Sequence, residues 1–277
     1  MRISERIAGV RQWLGGLGYT GERRAAALLP LSIFGLLYLV LSLNAQPGWG
    51  PALFGLSLSY LVAFFALASG WFWARWFASG LGWSGFMVGV MALVMFGWQP
   101  ALGIYAGMHA LVVVALMGPK MSEAYELRPG WRERFAMDDF GVARLGKAVT
   151  RGAGALPTLI LWALAPREGT EWLQSALAPA ETTVVAIALG LLVLGLAGLA
   201  RLRSFAVLAL GAAALAAGVG VVLATSGLTA SLLSAGAIIR PSAWYPVAAA
   251  PLPILTLLFL SAATLPFARP LYRYLTR

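Results

Sequence analysis

Two places in this chain hold residues capable of chemistry, and both are sparse. His109 is the only histidine, and it sits in GIYAGMHALVV, inside an apolar run rather than in a loop. An imidazole there is a candidate axial ligand for a haem or chlorin, with Gly103, Ala106 and Gly107 leaving room for a flat ring. It is equally a candidate station in a proton relay. The competing reading is a neutral ring hydrogen-bonded to a neighbouring helix, because polar groups in hydrocarbon persist when they are partnered. A haem held between two histidines of this chain is excluded, since no second histidine exists.

The other place is Asp138-Asp139 in DDFGVAR. The segment resembles the aspartate-rich D-G-x-x-A-R metal motif of the CDP-alcohol phosphotransferases. That family needs further aspartates along the same helix, and here LGKAVTRGAG follows with no acid. Hard cations need several oxygen ligands, so the family is rejected and no metal site is expected. The two acids read instead as a turn or a helix start, where negative charge suits the helix N-terminus. Other chemistries lack their residues. There is no cysteine, hence no disulfide, thiolate nucleophile or Cys-ligated cluster. Lys120 and Lys147 both fall in a polar segment, away from any buried site for a retinal Schiff base. No phosphate-binding glycine loop, zinc box or serine-hydrolase elbow is present. No catalytic constellation emerges.

The elements that carry these residues are membrane helices. Of 277 residues, 60% are hydrophobic and 11% charged, against about a quarter charged in a soluble domain. The apolar residues come in blocks close to the roughly 20 that cross a bilayer. Eight blocks are predicted: 25–43, 51–72, 81–98, 101–117, 152–166, 182–200, 204–225 and 246–267. The fold class is therefore all-α, a polytopic integral membrane protein of about eight transmembrane helices with short amphipathic interfacial helices.

Four regions follow. Residues 1–24 are an amphipathic N-terminal segment with five arginines, its Ile3, Ile7, Val10, Leu14 and Leu17 at helical spacing. Residues 25–117 hold the first four spans. Residues 118–151 are a basic connector with seven of the twenty Lys and Arg and five of the ten acids. Residues 152–277 hold the last four spans. Segments 167–181 and 226–245 are further candidates for interfacial helices.

The fifth span is short: Gly152 to Pro166 offers roughly 22 Å of helix, with Pro157 inside it. Charge decides whether it crosses. If it does, every Lys and Arg except Arg167 and Arg240 lies on one side; if it is re-entrant, Arg201, Arg203, Arg269, Arg273 and Arg277 move opposite the rest. The positive-inside bias favours crossing, with both termini cytoplasmic, in the manner of a prokaryotic plasma (inner) membrane protein.

The net charge of +10 then reflects topology and attraction to anionic headgroups, not nucleic acid. Arg75, among Trp71, Trp73 and Trp76, is expected to snorkel, stack on an indole or hold a headgroup phosphate. Arg144, Lys147 and Arg151 line one face of a predicted surface helix whose other face carries Phe140, Leu145, Ala148 and Val149, a site for lipid or a docking partner. Small-xxx-small spacings, Ala186 with Gly190, Ala213 with Ala217 and Ala214 with Gly218, predict that the sixth and seventh spans form a tight hairpin or pack against another subunit.

Three functions fit this inventory. The first is a non-catalytic subunit, scaffold or assembly factor of a larger membrane complex, packing against other membrane subunits. The second is a permease or lipid transporter with an uncharged path, using Pro251, Pro253 and the short fifth span as broken helices. The third is a haem- or pigment-binding protein centred on His109.

Overall fold

A computed structural model describes residues 20–46, 48–126, 130–134, 138–166, 178–234 and 251–275. Every regular element among them is helical. The N-terminal segment 1–19 and most of the two expected interfacial segments, 167–177 and 235–250, lie outside the described residues.

Among the described residues eight helices are long. They are α1 (Thr20–Leu43), α2 (Gly50–Ser69), α3 (Ala74–Phe96) and α4 (Pro100–Leu116), then α7 (Asp139–Leu164), α8 (Ala178–Ala200), α9 (Phe205–Ser234) and α10 (Pro251–Leu275). Between the halves lie the short α5 (Pro119–Glu126) and α6 (Trp131–Arg134). Five of these helices, α1, α2, α3, α8 and α9, are long and apolar enough to cross a membrane. The number is six if α4 and α5, bent by 73° at their junction, count as one broken span. That composition marks the chain as an integral membrane protein.

The junction bend has a local cause. Gly118 takes φ 98°, a region closed to most side chains, and Pro119 then opens α5. The carbonyls at the end of α4 do not continue a ladder; they accept from arginines, Arg23 to Met117 and Arg75 to Leu116 at 3.0 Å. Positive side chains at a helix C-terminus also oppose the partial negative charge of its dipole.

The short fifth segment is longer than its apolar part. The surface helix predicted before it and the apolar run form one continuous helix, α7, of 26 residues. Pro157 lies within it without ending it. Its start packs on Trp76 near the beginning of α3, and Pro166 just beyond its end meets Gly48 in the α1–α2 turn at the opposite end of the bundle. So α7 traverses the whole body, and its amphipathic first half supplies the length that Gly152–Pro166 lacks. Residues 246–250 lie outside the described residues, and Pro251 and Pro253 are the first and third described residues of α10.

The expected α8–α9 hairpin forms, and it is the most extensive helix pair among the described residues. The stripe on α8 differs from expectation. Ala186 and Gly190 face outward, and Gly190 has nothing within 4 Å of where a Cβ would sit. The buried face is Val185, Ala188, Leu192, Leu196 and Leu199, opposite Ala206, Leu210, Ala213 and Ala217 of α9. Closest approach is at Gly195 and Gly198, against Leu210 and Ala206.

Candidate functional site

His109 is fully buried. Four helices converge on it, and the reason is depth. His109 is nine residues into α4, Tyr60 ten into α2, and Phe34 nine before the end of α1. At 1.5 Å per residue these positions share one level of an up-and-down bundle. Phe34 stacks on the imidazole at 4.3 Å between centroids with 26° between planes, and Tyr105 lies at 4.3 Å, tilted. The fourth wall is α3. A Cβ on Gly85 would overlap the imidazole ring, so only glycine allows α3 this close.

Both imidazole nitrogens are engaged. Nδ1 lies 2.8 Å from the Tyr105 carbonyl, which can only accept, so Nδ1 carries the proton. Nε2 lies 2.7 Å from the Tyr60 hydroxyl, which donates to it. One neutral tautomer satisfies both bonds. Axial ligation of a metal through Nε2 would displace the Tyr60 hydroxyl and force α3 away at Gly85. Of the three small residues expected to flank a planar ring, a Cβ on Gly103 would lie 3.0 Å from the Trp98 indole, Ala106 packs on Gly89, and a Cβ on Gly107 would meet nothing within 4 Å. None of them opens a slot beside the imidazole.

The second assembly lies at the end of the bundle where α4 gives way to α5. Arg75 turns inward there. It pairs with Glu126 of α5, donates to the Leu116 carbonyl at 3.0 Å and to Ser122 Oγ at 2.8 Å, and its side chain is 15% exposed. Trp76 Nε1 donates to the same Glu126 oxygen at 2.8 Å. Tyr125 donates to the Leu67 carbonyl at 3.2 Å. Trp131 of α6 stacks on Phe72 at 4.2 Å with 15° between planes. Thus α5 and α6 are fixed to the body through α2, α3 and the turn between them. The indole nearest Arg75 in sequence shares its carboxylate instead of its cation.

Asp138 caps α7, accepting from Gly141 N at 2.6 Å, and Asp139 pairs with Arg132. Each expected role for these acids, at a helix start, follows from the orphan N–H groups there. Along α7, Leu145, Ala148 and Val149 are buried as their spacing predicted, while Phe140 is 74% exposed. Arg144 and Lys147 are exposed; Arg151 is half-buried and donates to the Ala262 carbonyl of α10 at 2.7 Å. Arg75, Arg144, Lys147 and Arg151 therefore divide: the first and last bind protein groups, and the middle two face outward.

Sequence reasoning missed Tyr60 and Glu126. Depth arithmetic could have found Tyr60, since it lies at the level of His109. Glu126 gave no signal, because its approach depends on the bend at Gly118. Among the described residues no cluster of three or more His, Asp or Glu could hold a metal ion. No family model, curated protein or solved structure matches the chain.

Proposed function

We propose that the protein is a non-catalytic multi-pass membrane subunit, a scaffold for a larger complex. In this reading α1–α4 and α7–α10 are eight spans of a prokaryotic inner membrane. Both termini and the α5–α7 connector face the cytoplasm, and the connector is the docking platform. One observation carries the reading. The connector is clamped to the body by Arg75–Glu126, Trp76–Glu126, Tyr125–Leu67 and Trp131–Phe72, yet Arg144, Lys147 and Phe140 of α7 point away from it. A loop serving only to join two spans needs no such anchorage. A rigid basic face with one apolar residue suits an acidic partner surface, where charge complementarity steers encounter and fixes register.

The test is purification in mild detergent from the native host, followed by charge reversal. A stoichiometric partner that is released by Arg144→Glu with Lys147→Glu, at unchanged melting temperature, is expected. A lone monomer, or a partner indifferent to the reversal, overturns the reading. The layout has its own check. The chain contains no cysteine, so Arg203→Cys and Arg277→Cys each give one labelling site, and both must react from the cytoplasmic side.

A further inference from the structure

A cleft of about 670 Å³ runs along the body between α2 and α8, with α7 as its floor. Its size is within the roughly 300–1,000 Å³ of ligand pockets. The walls are Leu58 and Val62 of α2 and Leu189 and Val193 of α8; Leu156 and Ile160 form the floor. Leu58 and Val193 are about half exposed, so the cleft opens sideways. Its floor extends from Val149 to Leu164, about 22 Å of helix, or most of the roughly 30 Å of a hydrocarbon core.

The lining is apolar but for two side chains. Ser59 spends its hydroxyl on the Gly55 carbonyl at 2.9 Å, as membrane-buried hydroxyls do. The other is Arg201, in the α8–α9 turn, at the same end as Trp71 and Trp73. Arg201 is exposed and forms no ion pair among the described residues. The cleft thus has an apolar furrow of membrane depth, two indoles at one mouth and an unpaired guanidinium beside them. Indoles mark the headgroup level, and a guanidinium there attracts anionic headgroups and binds phosphate oxygens in a bidentate fork.

We propose that this cleft binds one anionic phospholipid, with a tail along α7 between α2 and α8 and the phosphate at Arg201. The site is separate from the α7 docking face and stands or falls independently of it. A neutral zwitterionic lipid offers the same tail but less attraction, so the headgroup preference belongs to Arg201 and the tail affinity to the walls.

The experiment uses the delipidated full chain in neutral detergent, titrated with phosphatidylglycerol or phosphatidylcholine. Retention is read by native mass spectrometry and stability by thermal melting. Phosphatidylglycerol should bind more tightly, and Arg201→Gln should weaken it about fivefold, to near the phosphatidylcholine level. Val193→Trp fills the cleft from an exposed wall and should abolish retention of both lipids at unchanged melting temperature of the lipid-free protein. Leu58→Trp, on the opposite wall, serves if the first variant does not fold. Equal retention of the two lipids by the unaltered chain overturns the proposal, as does unchanged retention in Arg201→Gln or in the wall variant. If inorganic phosphate alone raises the melting temperature as far as phosphatidylglycerol does, the site belongs to a free anion and the lipid assignment fails.

Discussion

The two halves of the body solve one problem in different ways. In hydrocarbon, apolar burial hardly distinguishes a neighbouring helix from a lipid tail, so association rests on close packing and on interhelical polar bonds. The α1–α4 half uses both. Ser57 donates to the Gly35 carbonyl at 2.8 Å, Tyr60 donates to His109, and arginines 23, 24 and 75 bind backbone carbonyls of other helices. The buried face that α8 and α9 share is Val, Ala and Leu. Directional bonds fix rotation and depth; small-residue packing fixes distance and leaves sliding to be limited by knobs and holes. Helix α7 is the seam. It meets α3 through Gly80, α8 through Gly152 and α10 through Gly154, and it adds two polar bonds to α10, at Arg151 and at Thr158.

The strongest way to break the comparison is at the seam. A Cβ on Gly80 would overlap the Thr150 carbonyl oxygen and lie 2.8 Å from the Ala153 Cβ. Backbone cannot rotate away as a side chain can. Gly80→Leu is expected to cost about 3 kcal/mol or more, at or beyond the usual range for overpacking. The readout is loss of the monodisperse peak in detergent size-exclusion chromatography. Gly190→Leu, outward-facing on α8, should leave both peak and melting temperature unchanged. If the two variants behave alike, the close approach of α3 to α7 is not what holds the halves together.

Next in size is the clamp at Arg75. Removing one partner of a buried pair typically costs about 3–5 kcal/mol; with both side chains 15% exposed, Glu126→Met should cost about 2–3. Adding Arg75→Met should recover part of the loss, because no charge is then stranded, and the cycle isolates the coupling. The half-to-half comparison is sharpened by Arg151→Met, which removes a bond to one carbonyl of α10 and should cost only about 1 kcal/mol. Thermal melts followed by tryptophan fluorescence measure all four.

These contrasts show why some of the molecule was legible and some was not. Helix existence followed from block length and composition, and the pairing of α8 with α9 from their short connection and small residues. The buried face of α8 did not. In a span apolar on all sides, every third or fourth residue is small somewhere, and Ala186 with Gly190 is as good a stripe on paper as Val185 with Ala188. The length of α7 was legible: its amphipathic start was expected to lengthen the short apolar end, and the two form one helix through the glycine-rich junction Arg151-Gly152-Ala153-Gly154. Arg75 was misplaced for a different reason. Its indole neighbours pointed to an interface, whereas its inward turn depends on Glu126, brought over by a bend that a single glycine with positive φ allows. His109 was readable as a residue needing a partner; which partner required knowing that α1, α2 and α4 align in depth.

A smaller effect follows at that cluster. Tyr60→Phe keeps the ring and removes the donor to Nε2, leaving a buried acceptor unmet, which costs about 1–3 kcal/mol. The expected melting shift is downward. His109→Phe in the same background removes the unmet Nε2 acceptor together with the Nδ1–H bond to the Tyr105 carbonyl, whereas a ligand role for the imidazole would show as lost absorbance in the His109→Phe protein alone.

The smallest expected effect is in the second half. Thr256 Oγ1 donates to Thr158 Oγ1 at 2.8 Å, and Thr158 donates to the Ala155 carbonyl at 3.0 Å within its own helix. Both threonines are fully buried. Val has nearly the same shape as Thr, so Thr158→Val with Thr256→Val removes both hydroxyls of this pair and leaves methyl groups in contact. Replacing both partners by apolar groups of like shape is close to neutral, and interhelical bonds in membranes average only about 0.6 kcal/mol. The double variant should melt within about 1 kcal/mol of the unaltered chain. That contrasts with Tyr60→Phe, where one partner is left behind. A large loss in the double variant would mean that the α7–α10 contact depends on direction as much as the α1–α4 half does, and the division drawn between the halves would then fail at its seam.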